Sequence, residues 1–278
     1  MRVKVVTDST AVVPEEVLPL LPVGSVPVWL HFEDRSYRDG VDLEVDELYR
    51  RLQHGGRATT SSPSPGDFVV AFEEAAEQGY EAILVVTVSS RLSAIHDAAR
   101  AAAGVFSTLP VRVVDSESAV TGAGLVVVEA ARAAAAGADL DQVEAVANRI
   151  AGRVEVVGVV DTLRFLYRSG RVGAAKYWAG EAAGVKPMFR LARGKVSRAG
   201  LARTINGGLD RLVRFVNDGD GPVHAGIFHA AAPERATELQ RRLVASVPSI
   251  SEIFICSFSS AMGAHTGPGV IGVGWWRS

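Results

Sequence analysis

The sequence predicts an α/β protein of two domains: an α/β/α domain on a parallel sheet, then an α/β domain with a mixed sheet. Three observations predict this. Short β-branched runs alternate with Ala-, Arg- and Glu-rich stretches of helical length through the first half. Two of those runs, residues 82–88 and 111–114, are apolar but for Thr87 and Arg112, the pattern of parallel strands covered on both faces. Past residue 152 a different grouping begins: residues 185–191 followed closely by Lys195-Val196 read as a hairpin, so strand directions mix.

In chain order, residues 3–6 read as the first strand, and Ser9-Thr10 with Pro14 as the capped entry to a helix. Strand 82–88 leads through Ser89-Ser90 into a helix over 92–103, with Ser90 or Ser93 at or near its N-terminus. Strand 111–114 and a helix over 123–136, after Gly122 and Gly124, complete a first domain of residues 1–152. Residues 153–278 form the second. Its strands are 154–160, 185–191, 223–228, 253–258 and 270–276, and its helices lie around 162–167 and over 234–246. Strand–helix–strand units of this kind connect with right-handed crossovers.

Composition narrows the function. With 278 residues, 48% hydrophobic and 22% charged, the chain buries a sizeable core. A net charge of -2 argues against nucleic acid as the main partner, since phosphate binding needs a clustered positive excess. The single cysteine, Cys256, has no internal disulfide partner and falls in a buried strand, as expected in a reducing compartment. The N-terminal apolar run breaks at Thr7-Asp8, unlike a signal peptide. The most apolar stretch, 119–138, is interrupted by Glu129 and Arg132, unlike an integral membrane segment. The expected location is cytoplasmic.

Three segments carry chemistry: Thr60-Ser61-Ser62-Pro63-Ser64-Pro65, Ser89-Ser90-Arg91-Leu92-Ser93 and His265-Thr266-Gly267-Pro268-Gly269. Each offers hydroxyl or imidazole groups beside Gly or Pro. Convergent neutral donors suit a small anionic head group such as a carboxylate. No acidic residue lies within them, so no metal is expected there. Taken singly, each segment also reads as a turn or helix cap. Ser89 and Ser90 follow a parallel strand, and ligands in such sheets sit beyond the carboxyl ends of strands. A helix starting there aims its positive dipole end at an anion.

In this order and spacing, the three segments resemble the DegV family of bacterial fatty-acid-binding proteins. The resemblance extends to Thr7-Asp8-Ser9-Thr10, Tyr37-Arg38-Asp39-Gly40, Asp115-Ser116, Ser118, Asp161-Thr162-Leu163, Gly170-Arg171-Val172-Gly173 and Lys186-Pro187. It implies a ligand held between the two domains: a long-chain fatty acid in an apolar tunnel, its carboxyl at Thr60, Ser61, Ser93, His265 and Thr266. It also implies a non-enzymatic carrier without a cofactor, which presents that carboxyl to a separate fatty acid kinase for acyl-phosphate formation. The docking candidates are Arg171 and Arg203. The sequence departs from the family pattern at Ser62, where Gln is usual, and at Ala94-Ile95-His96. A basic run in the second domain shrinks here to Arg203-Thr204, followed by Ile205-Asn206-Gly207.

Two other functions stay open. A hydrolase acting on a carboxyl ester would use Ser93 and His265, with an acid such as Asp97 or Asp115, but no nucleophile-elbow sequence accompanies them. A binding module for another amphipathic ligand would use the same features. Gly267-Pro268-Gly269-Val270-Ile271-Gly272 matches a dinucleotide fingerprint, yet it lies too near the C-terminus for the helix, strand and acid that must follow. His31, His54, His96, His224 and His229 lack metal-ligand spacing. Asp8 and Asp39 read as turn-forming or capping residues.

Overall fold

The computed structural model describes residues 1–33, 35–54, 56–171 and 184–278. Val172 and Gly173 of the Gly170–Gly173 motif lie outside the described residues. Three sheets organise the chain. The first is wholly parallel, in the order β2 (Val23–Val26), β1 (Val3–Asp8), β6 (Ala82–Thr87), β7 (Val111–Asp115). Every residue of β6 is buried, Thr87 included, as its apolar run predicts. Helices α2 (Pro65–Glu77) and α3 (Ile95–Val105) pack on this sheet, as do α4 (Val120–Ala135) and α5 (Leu140–Ala151). Both α2 and α5 open with a capping box, from Ser64 to Asp67 and from Asp139 to Gln142.

The last sheet is mixed, as expected. Its order is β10 (Lys195–Ala202), β9 (Lys186–Ala192), β8 (Glu155–Val159), β13 (Ile271–Arg277), β11 (Val223–His229), β12 (Ile250–Ser257). Only β11 and β12 run parallel; the other neighbours are antiparallel. Helices α7 (Ile205–Asn217) and α8 (Pro233–Ser246) cover one part of it. All strands of the first sheet precede residue 116 and all strands of the last follow residue 154.

Helix α4 ties these two sheets together, packing on β1 and β6 and also on β11 and β13. Twelve of its sixteen residues are buried. Its first turns are small because neighbours come close: a methyl group on Gly124 would overlap the Val12 backbone carbonyl, and one on Gly122 would overlap the Ser118 and Val156 side chains.

The third sheet is absent from the sequence expectations. It is antiparallel, with β3 (Trp29–Phe32) between β4 (Arg35–Arg38) and β5 (Ala58–Ser61). Helix α1 (Val45–Gln53) joins β4 to β5, and α9 (Ser260–Thr266) packs on α1, β3 and β5. The helix expected after Ser9-Thr10 does not form. Asp8 accepts from the Thr10 amide at 3.0 Å, closing a tight turn, and only a short 3₁₀ turn at Leu18–Leu20 follows. Pro14, Pro19 and Pro22 deny that stretch the amide donors of a longer helix. The helix expected over 92–103 begins three residues later, at Ile95. Helix α6 (Arg164–Arg168) starts two residues later than expected.

Candidate functional site

The three hydroxyl-bearing segments meet at one cavity of about 450 Å³. Its wall draws on Val156, Phe189, Leu191, Val196 and Phe228 of the mixed sheet, on Val28, Val88 and Leu92 from segments that follow strands of the parallel sheet, and on Leu166 of the short helix after β8. Thr10, Thr60, Ser62, Ser93, Arg171, His265 and Thr266 are the polar side chains on its wall, which Ser61 also borders. The volume falls within the roughly 300–1,000 Å³ typical of ligand pockets, and the mixture of apolar wall and few polar groups is also typical.

Two hydrogen bonds assemble the polar part. Thr60 Oγ1 lies 2.8 Å from His265 Nε2, joining β5 to the last turn of α9 across 205 residues of sequence. Ser62 Oγ lies 3.3 Å from Ser93 Oγ, joining the segment after β5 to the one before α3. Since Thr60 and Ser62 are two residues apart, His265 and Ser93 arrive on the same side of the cavity. Strand alternation sends the Ser61 hydroxyl elsewhere: its Oγ meets His31 Nε2 at 2.8 Å. Thr266 is buried and shares its hydroxyl with the Met262 and Gly267 carbonyls. Ser93 precedes α3 and accepts weakly from the Ile95 amide at 3.4 Å, while Ala94 and Ile95 at the helix start line the cavity. His265 and Thr266 thus stand on a helix rather than a loop, and Thr60 and Ser61 on a strand.

Sequence reasoning missed two features. Ser62, noted as a departure from the family pattern, is the hydrogen-bond partner of Ser93. Arg171 lines the cavity and is half-buried, its Nη1 donating to the Ser169 carbonyl at 2.6 Å. It is the one Lys or Arg on the cavity wall among the described residues. Arg203 lies elsewhere, exposed just before α7 in a second groove that Arg211 and Arg214 of that helix also line. Thr204 caps that helix, accepting from the Gly207 amide at 3.0 Å.

Burial first, and then the Arg171 charge, push the His265 pKa down to about 4. The imidazole is therefore neutral near pH 7, able to exchange a hydrogen bond with Thr60 in either direction. In the unfolded chain the same ring titrates near 6.5, so between pH 6.5 and 4 the unfolded state binds more protons. Stability from this group is complete above 6.5 and is lost as pH falls through that window. The His265→Gln variant is expected to lose about 2.5 kcal/mol less than the parent between pH 7 and 4.5. Urea unfolding at a series of pH values checks this; parallel curves for parent and variant would mean that His265 titrates normally.

Among the described residues, Ser93 bonds to Ser62 and not to His265, and no Asp or Glu is hydrogen-bonded to the His265 ring. Asp115 instead accepts from the Ser90 and Glu117 amides. Glu129, His224 and Glu252, remote from the three segments in sequence, bring ligand-type atoms within 4.8 Å of one another. Arg132 bonds both of those carboxylates, which makes the cluster an ion-pair network. No helix among the described residues is long and apolar enough to cross a membrane.

A family model described as "Uncharacterised protein, DegV family" matches residues 2–278. The chain belongs to the DegV family. A DegV domain-containing protein of Streptomyces coelicolor is 35% identical over 274 residues, covering 98% of this chain and 97% of its own. Among solved DegV structures, one from Thermus thermophilus, described by its fatty acid binding, superposes with a TM-score of 0.92 at 30% identity, covering all of both chains. DegV of Bacillus subtilis, described as a fatty acid binding protein, gives 0.89 at 26% identity, again over the full length of both. The mixed α/β architecture described above is thus the DegV fold.

Proposed function

We propose that this chain is a lipid-binding carrier that holds a long-chain fatty acid in the cavity between the parallel and mixed sheets. In this reading residues 1–152 and 153–278 are two domains and the cavity is the acyl tunnel between them. The carboxyl lies against Thr60, Ser93 and His265, flanked by Ser61 and Thr266. The observation that carries the reading is the cavity itself: an apolar wall from the mixed sheet and from the segments that follow β2 and β6, with Thr60–His265 and Ser62–Ser93 bonds at one side. Fatty acid binding by DegV relatives from Thermus thermophilus and Bacillus subtilis supports it.

The energetics agree. A dozen buried methylenes contribute on the order of 10 kcal/mol gross at about 0.8 each, less the cost of ordering the chain. The tail therefore supplies affinity, and the hydroxyl and imidazole groups set which end sits where. Arg171 contributes the positive charge that complements a carboxylate at that end. A separate fatty acid kinase then phosphorylates the presented carboxyl, with Arg171 and the exposed Arg203 as the cations it meets. The carrier itself needs no cofactor and is cytoplasmic.

Native mass spectrometry of the purified protein, with organic extraction and identification of the released lipid, tests the reading. A fatty acid at one per chain is the expected result, and Ser93→Ala is expected to weaken its rebinding by about 1–3 kcal/mol. Retention of a neutral lipid, or rebinding that Ser93→Ala and His265→Ala both leave unchanged, would overturn the assigned carboxyl site. Covalent labelling of Ser93 by a fluorophosphonate would favour the ester hydrolase instead.

A further inference from the structure

Asp8 and Asp39 read from sequence as ordinary turn or capping residues, yet both are buried beside the cavity and neither forms an ion pair among the described residues. Their partners explain their place. At the end of β1, one Asp8 oxygen accepts from the Val88 amide at 2.8 Å, and the other accepts from the amide and hydroxyl of Thr10. Val88 and Thr10 both line the cavity, and Val88 opens the segment that runs to Ser93. Asp39 reaches 222 residues along the chain to accept from the Ala261 amide at 2.9 Å, in the first turn of α9. Its other oxygen accepts from Ser9 Oγ at 2.7 Å, and Ser9 Oγ in turn accepts from the Val28 amide at 3.1 Å. Val28 leads into β3, whose Leu30 stands opposite Thr60 in the register.

Each flank of the polar site therefore hangs on one of these carboxylates. Asp8 fixes the approach to Ser93, and Asp39 fixes the helix that carries His265. Ser9 and Thr10, adjacent in sequence, tie the two together. A carboxylate suits this task because it only accepts, so it gathers two or three donors from separate segments at once. An amide in its place turns a donor toward one of those partners. Burial raises both acids above the ordinary carboxylate range, and their hydrogen bonds oppose that rise.

Building on the fatty-acid reading, we propose that Asp8 and Asp39 are positioning residues that confer selectivity for a carboxylate head group over a neutral one, by setting the spacing between Ser93 and the Thr60–His265 pair. The head group feels this spacing; the acyl tail does not.

The test uses the full chain stripped of lipid, with hexadecanoic acid and hexadecanol as probes that share a tail and differ in head group. Asp39→Asn and Asp8→Asn are expected to weaken the acid by about tenfold and the alcohol by less than about twofold. Ser9→Ala removes a single bond from Asp39, serves if either Asn variant fails to fold, and is expected to show a smaller loss of the same selective kind. Equal losses for acid and alcohol would mean that these residues only stabilise the fold, and would overturn the proposal.

A second readout needs no ligand. The ring signals of His265, assigned by their absence in His265→Gln, are expected to move in Asp39→Asn and in Ser9→Ala, but not in the exposed control Asp220→Asn. Unmoved signals in Asp39→Asn and Ser9→Ala would overturn the proposal even if the parent bound no fatty acid. Failure of the parent to bind the acid, with the ring signals moving as expected, would count against the fatty-acid reading alone.

Discussion

Replacing Val196 by Trp is expected to lower the affinity for a long-chain fatty acid by about a hundredfold while leaving the fold intact. Val196 and Leu191 stand opposite each other on β10 and β9, and both line the cavity. Val196 is only half-buried and lies on the edge strand of the mixed sheet, so a larger side chain displaces ligand volume rather than a neighbouring strand. Excluding three or four methylenes at about 0.8 kcal/mol each costs about 3 kcal/mol, or roughly a hundredfold. Titration by displacement of a fluorescent fatty acid measures the loss, and thermal unfolding reports the fold. Unchanged affinity would place the acyl chain outside this cavity.

The largest effect on stability is expected at Gly124. Its neighbour is the Val12 backbone carbonyl, which has no rotamer with which to move aside. Gly124→Ala must push α4 away from the turn after β1, and α4 packs on both sheets, so the strain spreads to each. A destabilisation of about 3 kcal/mol is expected, at the upper end of ordinary overpacking. Gly104 near the end of α3 makes the opposite case, since a methyl group there meets nothing within 4 Å. Gly104→Ala is expected to stabilise by about 0.5–1 kcal/mol through reduced freedom of the unfolded chain. Urea unfolding of the two variants beside the parent compares them; a neutral Gly124→Ala would show that α4 can shift at little cost.

The central strands β1, β6, β8 and β11 were legible because burial on both faces makes them largely apolar, whereas edge strands such as β2 and β10 are half-exposed and mixed in composition. The antiparallel sheet was not legible. Arg35–Arg38 and Ala58–Ser61 are four-residue strands of polar and small residues, held by backbone pairing to Trp29–Phe32. Helix α7 hid behind Gly207 and Gly208, which lower helix propensity; Gly208 lies close against Val159. Helix α9, at seven residues, is too short to show a period, and part of its N-terminal capping comes from Asp39 rather than from its own neighbourhood.

The site divides in the same way. Thr60, Ser93 and His265 stand out by residue type, since hydroxyls and imidazoles beside Gly and Pro are conspicuous. Which of them pair is set by long-range contacts that no local spacing encodes. Strand alternation separates Thr60 from Ser61, and no reading of that segment as a loop anticipates it. The place of Arg171 on the cavity wall was hidden for a related reason: an arginine in a Gly-rich stretch reads as surface whether its guanidinium faces water or a cavity.

The bond between Thr60 and His265 joins segments 205 residues apart. An occupant touching both acts as a reversible cross-link between early and late parts of the chain. No proteolytic fragment ending before α9 keeps both Thr60 and His265, and none beginning after β5 does either. Occupancy therefore reports on the integrity of the whole polypeptide. At a hundred times its dissociation constant, such a ligand adds about 2.7 kcal/mol to the free energy of global unfolding. On the proposed carrier reading, the emptied chain is the less stable one and is expected to be cut faster by a protease, which limited proteolysis with and without fatty acid measures.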